Sequence, residues 1–455
     1  MTPPSRRPPR RRRPPPAREL ALQILAAGES RSAYSDRLLD SRLRDAGTSA
    51  EEARLVTALV QGVLRRRATL DHHLAEFTGP NWERLPLWIR TALRIGAFQL
   101  LFLDRIPASA AVAESVELAK KYGHPGTAGL ANAVLRRLAG GARAPLPDPA
   151  ADPVAHLAVK HSHPEWLVRR WLARFGPEET ERLLEADNVE PRVSVRANGA
   201  RIGREELRAR LADARLGPAD GPNGGPVFLL AGGFVAGTSP LFREGLLSLQ
   251  DEAESVVADL LSPGPGDRVL DLCAAPGGKA SQIAERIGPG GRLVAVERHR
   301  SRAASLRSNL LERLRLSSVD LVCADGAAPP FVRPFDRVLL DAPCSGLGVL
   351  RRRADARWRK GEGTIAAMVA LQGPLLAAAG SLTRPGGVLV YSVCSLEPEE
   401  TDAIVSSFLA AHPEWTWDDA RPHLPPAFRG PERALRATPF THGTDGVFAA
   451  RLVRS

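Results

Sequence analysis

The sequence has few cysteines and no long apolar run, and each of these absences narrows the class of protein. Its 455 residues include four cysteines that lie far apart without a C-x-x-C pair, so neither the spacing of a zinc site nor a disulfide framework is present. No apolar run approaches the roughly 18 residues that span a bilayer, and the Arg/Pro-rich start lacks the apolar segment of a signal peptide. We therefore expect a cytoplasmic monomer that holds no metal, contacts no membrane and keeps its thiols reduced.

Acidic residues are outnumbered by basic ones, but much of the excess lies at one end. The formal net charge is +11, and seven of these charges are arginines within residues 1–18, which leaves +4 for the rest of the chain. The terminus is thus the main sign of a polyanionic partner. Residues 1–17 are mostly Pro and Arg with little to bury, so we predict a disordered tail that is either neutral or a nonspecific RNA tether.

Apolar residues in residues 18–140 recur at the spacing of amphipathic helices. Leu20 and Ile24 share one face of a first helix, and Ile89 and Leu93 begin the face of a later one. The pattern predicts an all-α helical bundle.

A Pro/Gly-rich stretch at residues 140–149 marks a domain boundary after this bundle. Short apolar runs and one helical pattern in residues 154–240 then predict a small α+β linking module. We expect this module to pack against the domain that follows it, residues 241–455, and to help form an RNA groove.

The stretch VLDLCAAPGGK, residues 269–279, is the centre of that last domain. An apolar run reaches an acidic residue, a loop of small residues and an amphipathic stretch, which predicts the strand, turn and helix of a nucleotide-binding α/β fold. Glycines in the turn let the backbone approach a ligand, and the helix start offers free N–H groups and a positive dipole end. An adenosyl group suits such a site, although the G-x-G-x-x-G spacing for dinucleotides is absent.

Four further apolar runs downstream each end in polar residues. Glu297 follows the second strand, where a carboxylate can accept hydrogen bonds from both ribose hydroxyls. Asp325 follows the third, where it either contacts an adenine amino group or forms a turn. Asp341 and Cys344 follow the fourth strand, and Cys394 follows the fifth. Because open α/β sheets bind ligands at the carboxyl edge of their strands, we expect these residues to converge.

The motifs DLCAAPGGK, DAPC at 341–344 and YSVCS at 391–395 resemble those of the Sun-type RNA 5-methylcytosine methyltransferases. The resemblance implies an α/β, Rossmann-like class I methyltransferase domain that uses S-adenosyl-L-methionine as cofactor. The front half is similar, more loosely, to the NusB-type RNA-binding domain found before the methyltransferase domain in the family's 16S rRNA enzymes. The predicted cofactor-binding residues are Cys273, Ala274, Ala275, Pro276, Gly277, Gly278, Lys279, Glu297, Asp325 and Asp341.

The chemistry of such an enzyme explains why two cysteines stand at the sheet edge. C5 of cytosine is a poor nucleophile, but a thiolate that adds at C6 makes C5 enamine-like and able to take a methyl group. Sequence logic alone leaves the attacking thiol open between Cys344 and Cys394. By resemblance, Cys394 attacks and Cys344 assists the later elimination. Asp341 is expected at the N3/N4 edge of the base, and Lys279 at the O2 atom or in the cofactor pocket.

Other residues in the sequence have more ordinary interpretations. We expect Cys273 and Cys323 to be mainly packing residues, and His161 and His163 to be capping or surface residues. Two roles remain open for Asp271: it either stabilises the loop or contacts the cofactor. The basic run at residues 351–360 follows the DAPC motif directly, which favours contacts with phosphates.

The family resemblance therefore implies a methyltransferase acting at C5 of a cytosine in 16S rRNA, before or during assembly of the small subunit. A flipped or unpaired cytosine is required, because C5 and C6 are inaccessible inside a stacked duplex. Two alternatives remain at this stage: a tRNA cytosine-5 methyltransferase, and a noncatalytic RNA-binding or antitermination-type factor.

Overall fold

The computed structural model describes residues 16–31 and 35–455, and the chain divides into two compact units. The first contains the described residues up to Glu181 together with Arg353–Arg359, and the second contains Arg182–Arg352 and Lys360–Ser455. The predicted tail, residues 1–17, lies outside the described residues except for Pro16 and Ala17.

The first unit is built from helices, and its described residues contain no strand. The predicted all-α bundle is thereby confirmed. A buried apolar cluster from most of these helices forms its core. The helices are α1 (Ala17–Arg31), α2 (Ser35–Ala46), α3 (Ala50–Arg65), α4 (Arg67–Thr78), α5 (Leu87–Phe102), α6 (Ala108–Tyr122), α7 (Pro125–Ala139), α8 (Pro153–His161) and α9 (Glu165–Ala186), the last of which runs into the second unit.

Local sequence explains where helix α3 begins. Ser49 caps α3, and Glu52 completes the capping box that satisfies free N–H groups of the first turn.

Arg94 of α5 is almost fully buried and donates to both carboxylate oxygens of Asp71, at 2.6 and 2.8 Å, and to Glu29 at 3.0 Å. These ion pairs compensate for burying a guanidinium group inside the bundle.

The second unit begins with a small antiparallel sheet of strand order β2-β3-β1-β4. Its buried face packs with residues of the neighbouring helix in a separate apolar cluster, which gives the predicted α+β module. Its elements are β1 (Ser194–Ala197), α10 (Arg204–Asp213), β2 (Ala219–Asp220), β3 (Val227–Leu229), α11 (Pro240–Arg243) and β4 (Leu247–Leu249).

An eight-stranded sheet forms the rest of the unit, with the order β10-β12-β9-β8-β5-β6-β7 and β11 paired with β12. Strands β5 to β9 pair in parallel, while β12 pairs antiparallel with β9, β10 and β11. The predicted α/β, Rossmann-like fold is confirmed. The strands are β5 (Arg268–Asp271), β6 (Arg292–Val296), β7 (Val319–Val322), β8 (Phe335–Asp341), β9 (Thr383–Val393), β10 (Trp415–Trp417), β11 (Leu435–Ala437) and β12 (Val447–Arg454).

Helices cover this sheet, and two apolar clusters fill the space beneath them. Parallel strands buried on both faces explain the nearly continuous Val and Leu runs of the sequence. The helices are α12 (Glu252–Leu261), α13 (Gly278–Ile287), α14 (Arg300–Arg307), α15 (Glu362–Ser381), α16 (Asp402–Ala411) and α17 (Pro439–His442).

Helix α15 is long and apolar enough, by length and composition alone, to cross a membrane. This corrects the expectation that no segment of the chain reaches that length. Leu375 and Leu376 are nevertheless buried in the core against the sheet, and Gln372 is fully buried. The helix therefore occupies the position of a covering helix in an α/β domain.

Candidate active site

The loop between β5 and α13 forms one side of the candidate site. Gly277 adopts a positive φ of 104°, which favours glycine, and a Cβ atom there would lie 3.0 Å from the side chains of Leu306 and Leu310. The side chain of Asn309 donates to the carbonyl of Pro276 at 2.7 Å. The Ala275-Pro276 peptide bond is cis. Side chains of the segment after α14's start therefore hold the glycine loop in place directly before the first residues of α13.

Burial gives the acid at the end of β5 an unusual proton affinity. Asp271 is almost fully buried, and burial, reinforced by the nearby Asp341 carboxylate, raises the pKa of Asp271 to about 8. Its side chain accepts a hydrogen bond from the backbone N–H of Cys273 at 3.4 Å. At neutral pH this carboxyl therefore keeps its proton.

Glu297 lies at the end of β6, where a ribose contact was predicted. It is 3% exposed, accepts from the backbone N–H of His299 at 2.8 Å and pairs with Arg302 at 3.3 Å. Arg302 also donates to the carbonyl of Ala275 at 2.9 Å, so it links the acid to the glycine loop. Arg302 lies on α14, and no sequence motif marks it as a site residue.

Asp325 lies after β7 and is exposed, unlike Glu297. It accepts from the backbone N–H of Ala327 at 3.0 Å, which is the turn geometry considered from the sequence, and its other oxygen is 3.6 Å from Arg298. One oxygen thus shapes the turn and the carboxylate stays accessible. The adenine contact remains a prediction.

Asp341 and Lys279 form the polar centre of the site. One carboxylate oxygen of Asp341 accepts from Lys279 at 2.9 Å, and the other accepts from the hydroxyl of Ser392 at 2.6 Å. Lys279 is nearly buried and also pairs with Glu254 of α12. Two carboxylates therefore hold this ammonium group. No local pattern in the sequence marks Glu254, because it lies on α12, before β5 and the glycine loop.

The two predicted cysteines meet beside this centre. The Sγ atoms of Cys344, after β8, and Cys394, after β9, are 3.1 Å apart. The hydrogen bond with Cys344 holds the pKa of the Cys394 thiol well above its usual value, and burial raises it further. Asp341 acts in the same direction, whereas Lys279 lowers the pKa. Cys394 is accordingly a protonated thiol in this arrangement.

The other two cysteines differ from one another. Cys273 is partly buried against the core, and burial raises the pKa of its thiol, in keeping with the predicted packing role. Cys323 is exposed, and its Sγ lies 3.7 Å from the carbonyl of Arg298. The packing interpretation of Cys323 was therefore wrong, because the thiol follows β7 at an open edge of the sheet.

The two histidines near α8 are buried, which excludes the surface alternative of their prediction and leaves the capping one. His161 is 5% exposed and contacts Glu181 at 3.0 Å, while His163 is 1% exposed and bonds to the carbonyl of His161 at 2.8 Å. Both side chains lie inside the first unit.

The basic run after the DAPC motif also corrects a prediction. Arg351 donates to two backbone carbonyls and is 7% exposed, and Arg352 pairs with Asp251 and Asp445 at 2.7 Å each. Arg357 is fully buried within the first unit. Phosphate contact was the wrong interpretation for these three arginines, because Arg351 and Arg357 are buried and Arg352 is paired with two carboxylates of the protein.

Family comparisons cover all three parts of the chain. A family model described as "16S rRNA methyltransferase RsmB/F" matches residues 258–453. A NusB family model matches residues 15–140, and a model of the RsmF/B-like ferredoxin-like domain matches residues 163–226.

Individual relatives extend over nearly the whole chain. The "probable ribosomal RNA small subunit methyltransferase B" of Bacillus subtilis is 34% identical over 95% of this chain and 97% of its own length. The "ribosomal RNA small subunit methyltransferase B" of Pseudomonas putida is 36% identical over 79% of this chain and 81% of its own. The resemblance drawn from the sequence motifs is thereby confirmed.

Solved structures show the same architecture. The crystal structure of PH0851 covers 97% of this chain and 99% of its own, with a TM-score of 0.81 and 27% identity. A methyltransferase homolog protein from Pyrococcus horikoshii covers 67% of this chain and 99% of its own, with a TM-score of 0.56 and 27% identity. The chain belongs to the RsmB/F family of 16S rRNA methyltransferases and is an S-adenosyl-L-methionine-dependent rRNA methyltransferase with a NusB-like front domain.

Proposed function

We propose that this protein methylates C5 of a cytosine in 16S rRNA through a covalent adduct between Cys394 and C6 of the base. The observation that carries the proposal is the meeting of two thiols, 3.1 Å apart, beside the Asp341 carboxylate and the ammonium group of Lys279. Acid–base chemistry on a ring nitrogen, nucleophilic attack and elimination each need one such group. The edge of β8 and β9 supplies all of them.

The cofactor has a suitable place at the same sheet edge. The glycine loop and the buried Glu297 carboxylate would hold the adenosyl group, with Glu297 accepting from the ribose hydroxyls. S-adenosyl-L-methionine supplies an electrophilic methyl group on its sulfonium sulfur. The reacting thiols follow the two strands that continue the sheet from β5.

Cys394 acts as the nucleophile in this proposal. Its thiolate forms a bond to C6, which pushes electron density to C5 and makes C5 able to take the methyl group. Because the pKa of the resting thiol is raised, its proton must pass to an acceptor as the cytosine binds, and the neighbouring Asp341 carboxylate is that acceptor. Lys279 is the neighbouring charge that lowers this pKa, so it favours the thiolate.

Asp341 assists the addition step. A carboxyl group at the N3/N4 edge of cytosine can share a proton with N3 and so draw electron density away from C6. In the structure Lys279 and the Ser392 hydroxyl each hold one oxygen of Asp341, which fixes the plane of the carboxylate. Orientation before the substrate arrives lowers the entropic part of the barrier.

Cys344 acts after the methyl group has been transferred. Water takes up the C5 proton, the electrons of the C5–H bond form the C5–C6 double bond, and the Cys394 sulfur leaves C6 as a thiolate, which restores the aromatic ring. A thiol in contact with the Cys394 sulfur is placed to assist this elimination. The two cysteines thus have opposite roles at one position.

The experiment that tests the proposal separates these roles by substitution. Cys394→Ala should abolish methyl transfer to 16S rRNA, because no adduct can form at C6. Cys344→Ala should instead accumulate RNA joined to the protein, visible as a shifted band on a denaturing gel, and Cys323→Ala serves as the control thiol substitution. Wild-type turnover by Cys394→Ala would show that the nucleophile is assigned wrongly. Free RNA and normal turnover with Cys344→Ala would remove its role in elimination.

A further inference from the structure

We propose that Glu400 is a positioning residue that holds the two reactive thiols in register by binding both of the loops that carry them. This inference rests on the proposed function, in which both thiols take part. The hydrogen bonds that support it involve neither the cytosine base nor the cofactor. Glu400 follows β9, is fully buried, and had no role in the chemistry described so far.

Four donors converge on the Glu400 carboxylate. One oxygen accepts from the backbone N–H of Ser345 at 2.7 Å and from the side-chain amide of Gln372 at 3.1 Å. The other oxygen accepts from the hydroxyl of Ser395 at 2.5 Å and from the hydroxyl of Ser345. All four donors are neutral groups, so what balances the burial of this carboxylate is hydrogen bonding.

The positions of these donors in the chain give the contacts their meaning. Ser345 directly follows Cys344, and Ser395 directly follows Cys394. A single carboxylate thus joins the residues next to both thiols. The serine hydroxyls also lie 3.2 Å from each other, so the residues flanking the sulfur pair are themselves in contact.

Glu400 itself is held in place by the sheet and by a covering helix. The hydroxyl of Tyr391 in β9 donates to the Glu400 carbonyl at 2.8 Å, and Gln372 of α15 also donates to the carbonyl of Pro343 at 2.9 Å. The carboxylate is therefore attached to fixed elements. Loss of its hydrogen bonds would therefore shift the loops that carry Cys344 and Cys394.

A second connection between the loops limits how large the effect can be. The backbone N–H of Gly348 donates to the carbonyl of Cys394 at 3.1 Å, so the loops remain joined when Glu400 is removed. We therefore expect the thiols to lose their fixed spacing without the site coming apart. Chemistry should slow, while binding of the cofactor should not change, because Glu400 contacts none of the residues of the glycine loop.

Phenylarsine oxide is a probe of thiol spacing that needs neither RNA nor turnover. Its trivalent arsenic forms two As–S bonds, and the two thiol protons leave with the oxide oxygen as water. Two thiols in near contact bind it together, whereas thiols that are no longer in register bind it weakly. The full-length protein should bind one equivalent at Cys344 and Cys394, and Cys344→Ser should lose this binding.

The decisive variants are Glu400→Ala and its exposed neighbour Glu399→Ala, compared with wild type. Glu400→Ala should weaken arsenical binding and lower kcat by about tenfold or more, the factor that loss of one or two hydrogen bonds to a charged group gives. The KM for S-adenosyl-L-methionine should stay unchanged, and Glu399→Ala should match wild type in all three measurements. If Glu400→Ala does not fold, as judged by its Tm, Glu400→Gln keeps one acceptor oxygen and should show a smaller loss in the same direction.

Several results would overturn the proposal. The first is a wild-type protein that does not bind the arsenical through Cys344 and Cys394. The second is a folded Glu400 variant that binds the arsenical and turns over like wild type. The third is a Glu400 variant in which the KM for S-adenosyl-L-methionine rises by the same factor as kcat falls while arsenical binding is unchanged. If wild type methylates no RNA at all, the proposed function fails, while the arsenical measurements still decide whether Glu400 positions the thiols.

Discussion

Replacing Cys344 should make Cys394 more reactive toward an alkylating reagent, not less. The hydrogen bond with Cys344 is the largest cause of the raised pKa of Cys394, ahead of burial. A hydrogen bond of this kind contributes about 1 kcal/mol, so Cys344→Ala should raise the thiolate fraction of Cys394 about fivefold. Only the thiolate is nucleophilic, so the alkylation rate should rise by the same factor.

The assay is the rate of carbamidomethylation by iodoacetamide at pH 7.5, followed by mass spectrometry of the peptide that contains Cys394. Cys323→Ala is the suitable background, because Cys323 is exposed and would react first. Cys344→Ser keeps a hydroxyl that can accept the same hydrogen bond, so it should react at nearly the parent rate. An alkylation rate that is unchanged or lower in Cys344→Ala would refute the idea that this contact holds the thiol protonated.

Three further substitutions test other parts of the site. Asp341→Asn cannot exchange a proton with N3 and should lower the single-turnover rate by about a hundredfold or more, and a rate near wild type would remove Asp341 from the chemistry. Glu297→Gln should weaken binding of S-adenosyl-L-methionine about tenfold by calorimetry, since it loses hydrogen bonds to a charged acceptor; unchanged affinity would contradict the ribose contact. For Asp271, the folded pKa of about 8 exceeds the ordinary value of 3.8, so the unfolded state binds fewer protons between these values and stability falls as pH rises from about 4 to about 8. Asp271→Asn should flatten that part of the urea-unfolding profile, and an unaltered pH dependence would show that Asp271 is ionised in the folded protein.

Local sequence pattern predicted the parallel strands well, for a physical reason. Strands β5, β6, β8 and β9 have residues buried on both faces of the sheet and therefore appear as short, continuous apolar runs that end in polar residues. The antiparallel strands β10, β11 and β12 were not predicted. Two of them are three residues long, and their pairing joins segments distant in the chain, which local periodicity does not reveal.

The helical region shows a similar limit. Apolar residues from Leu55 to Phe77 keep a helical spacing, yet they belong to two helices that meet at Arg66. Arg66 has φ −110° and ψ 14°, outside the helical region, and no glycine or proline there marks the break. Side-chain packing in the bundle, and not local propensity, decides where the chain turns.

Some residues of the candidate site could also be predicted from local sequence, and others could not. Residues at strand ends, such as Asp341 and Cys394, could be named in advance because the fold brings strand ends to one edge. Glu254 lies on a preceding helix and Glu400 beyond a loop, so only tertiary structure brings them to Lys279 and to the serines. The buried arginines were misassigned because a run of charges in sequence gives no sign of the carboxylates that will surround it.

The most direct test of the account is transfer of labelled methyl from S-adenosyl-L-methionine to a 16S rRNA transcript and, in parallel, to bulk tRNA, followed by nucleoside analysis. The account predicts label in 5-methylcytosine from the 16S transcript. If that transcript is not an acceptor, small-subunit assembly particles should take up label in the same nucleoside. Label in any other nucleoside, or 5-methylcytosine confined to tRNA, would contradict it.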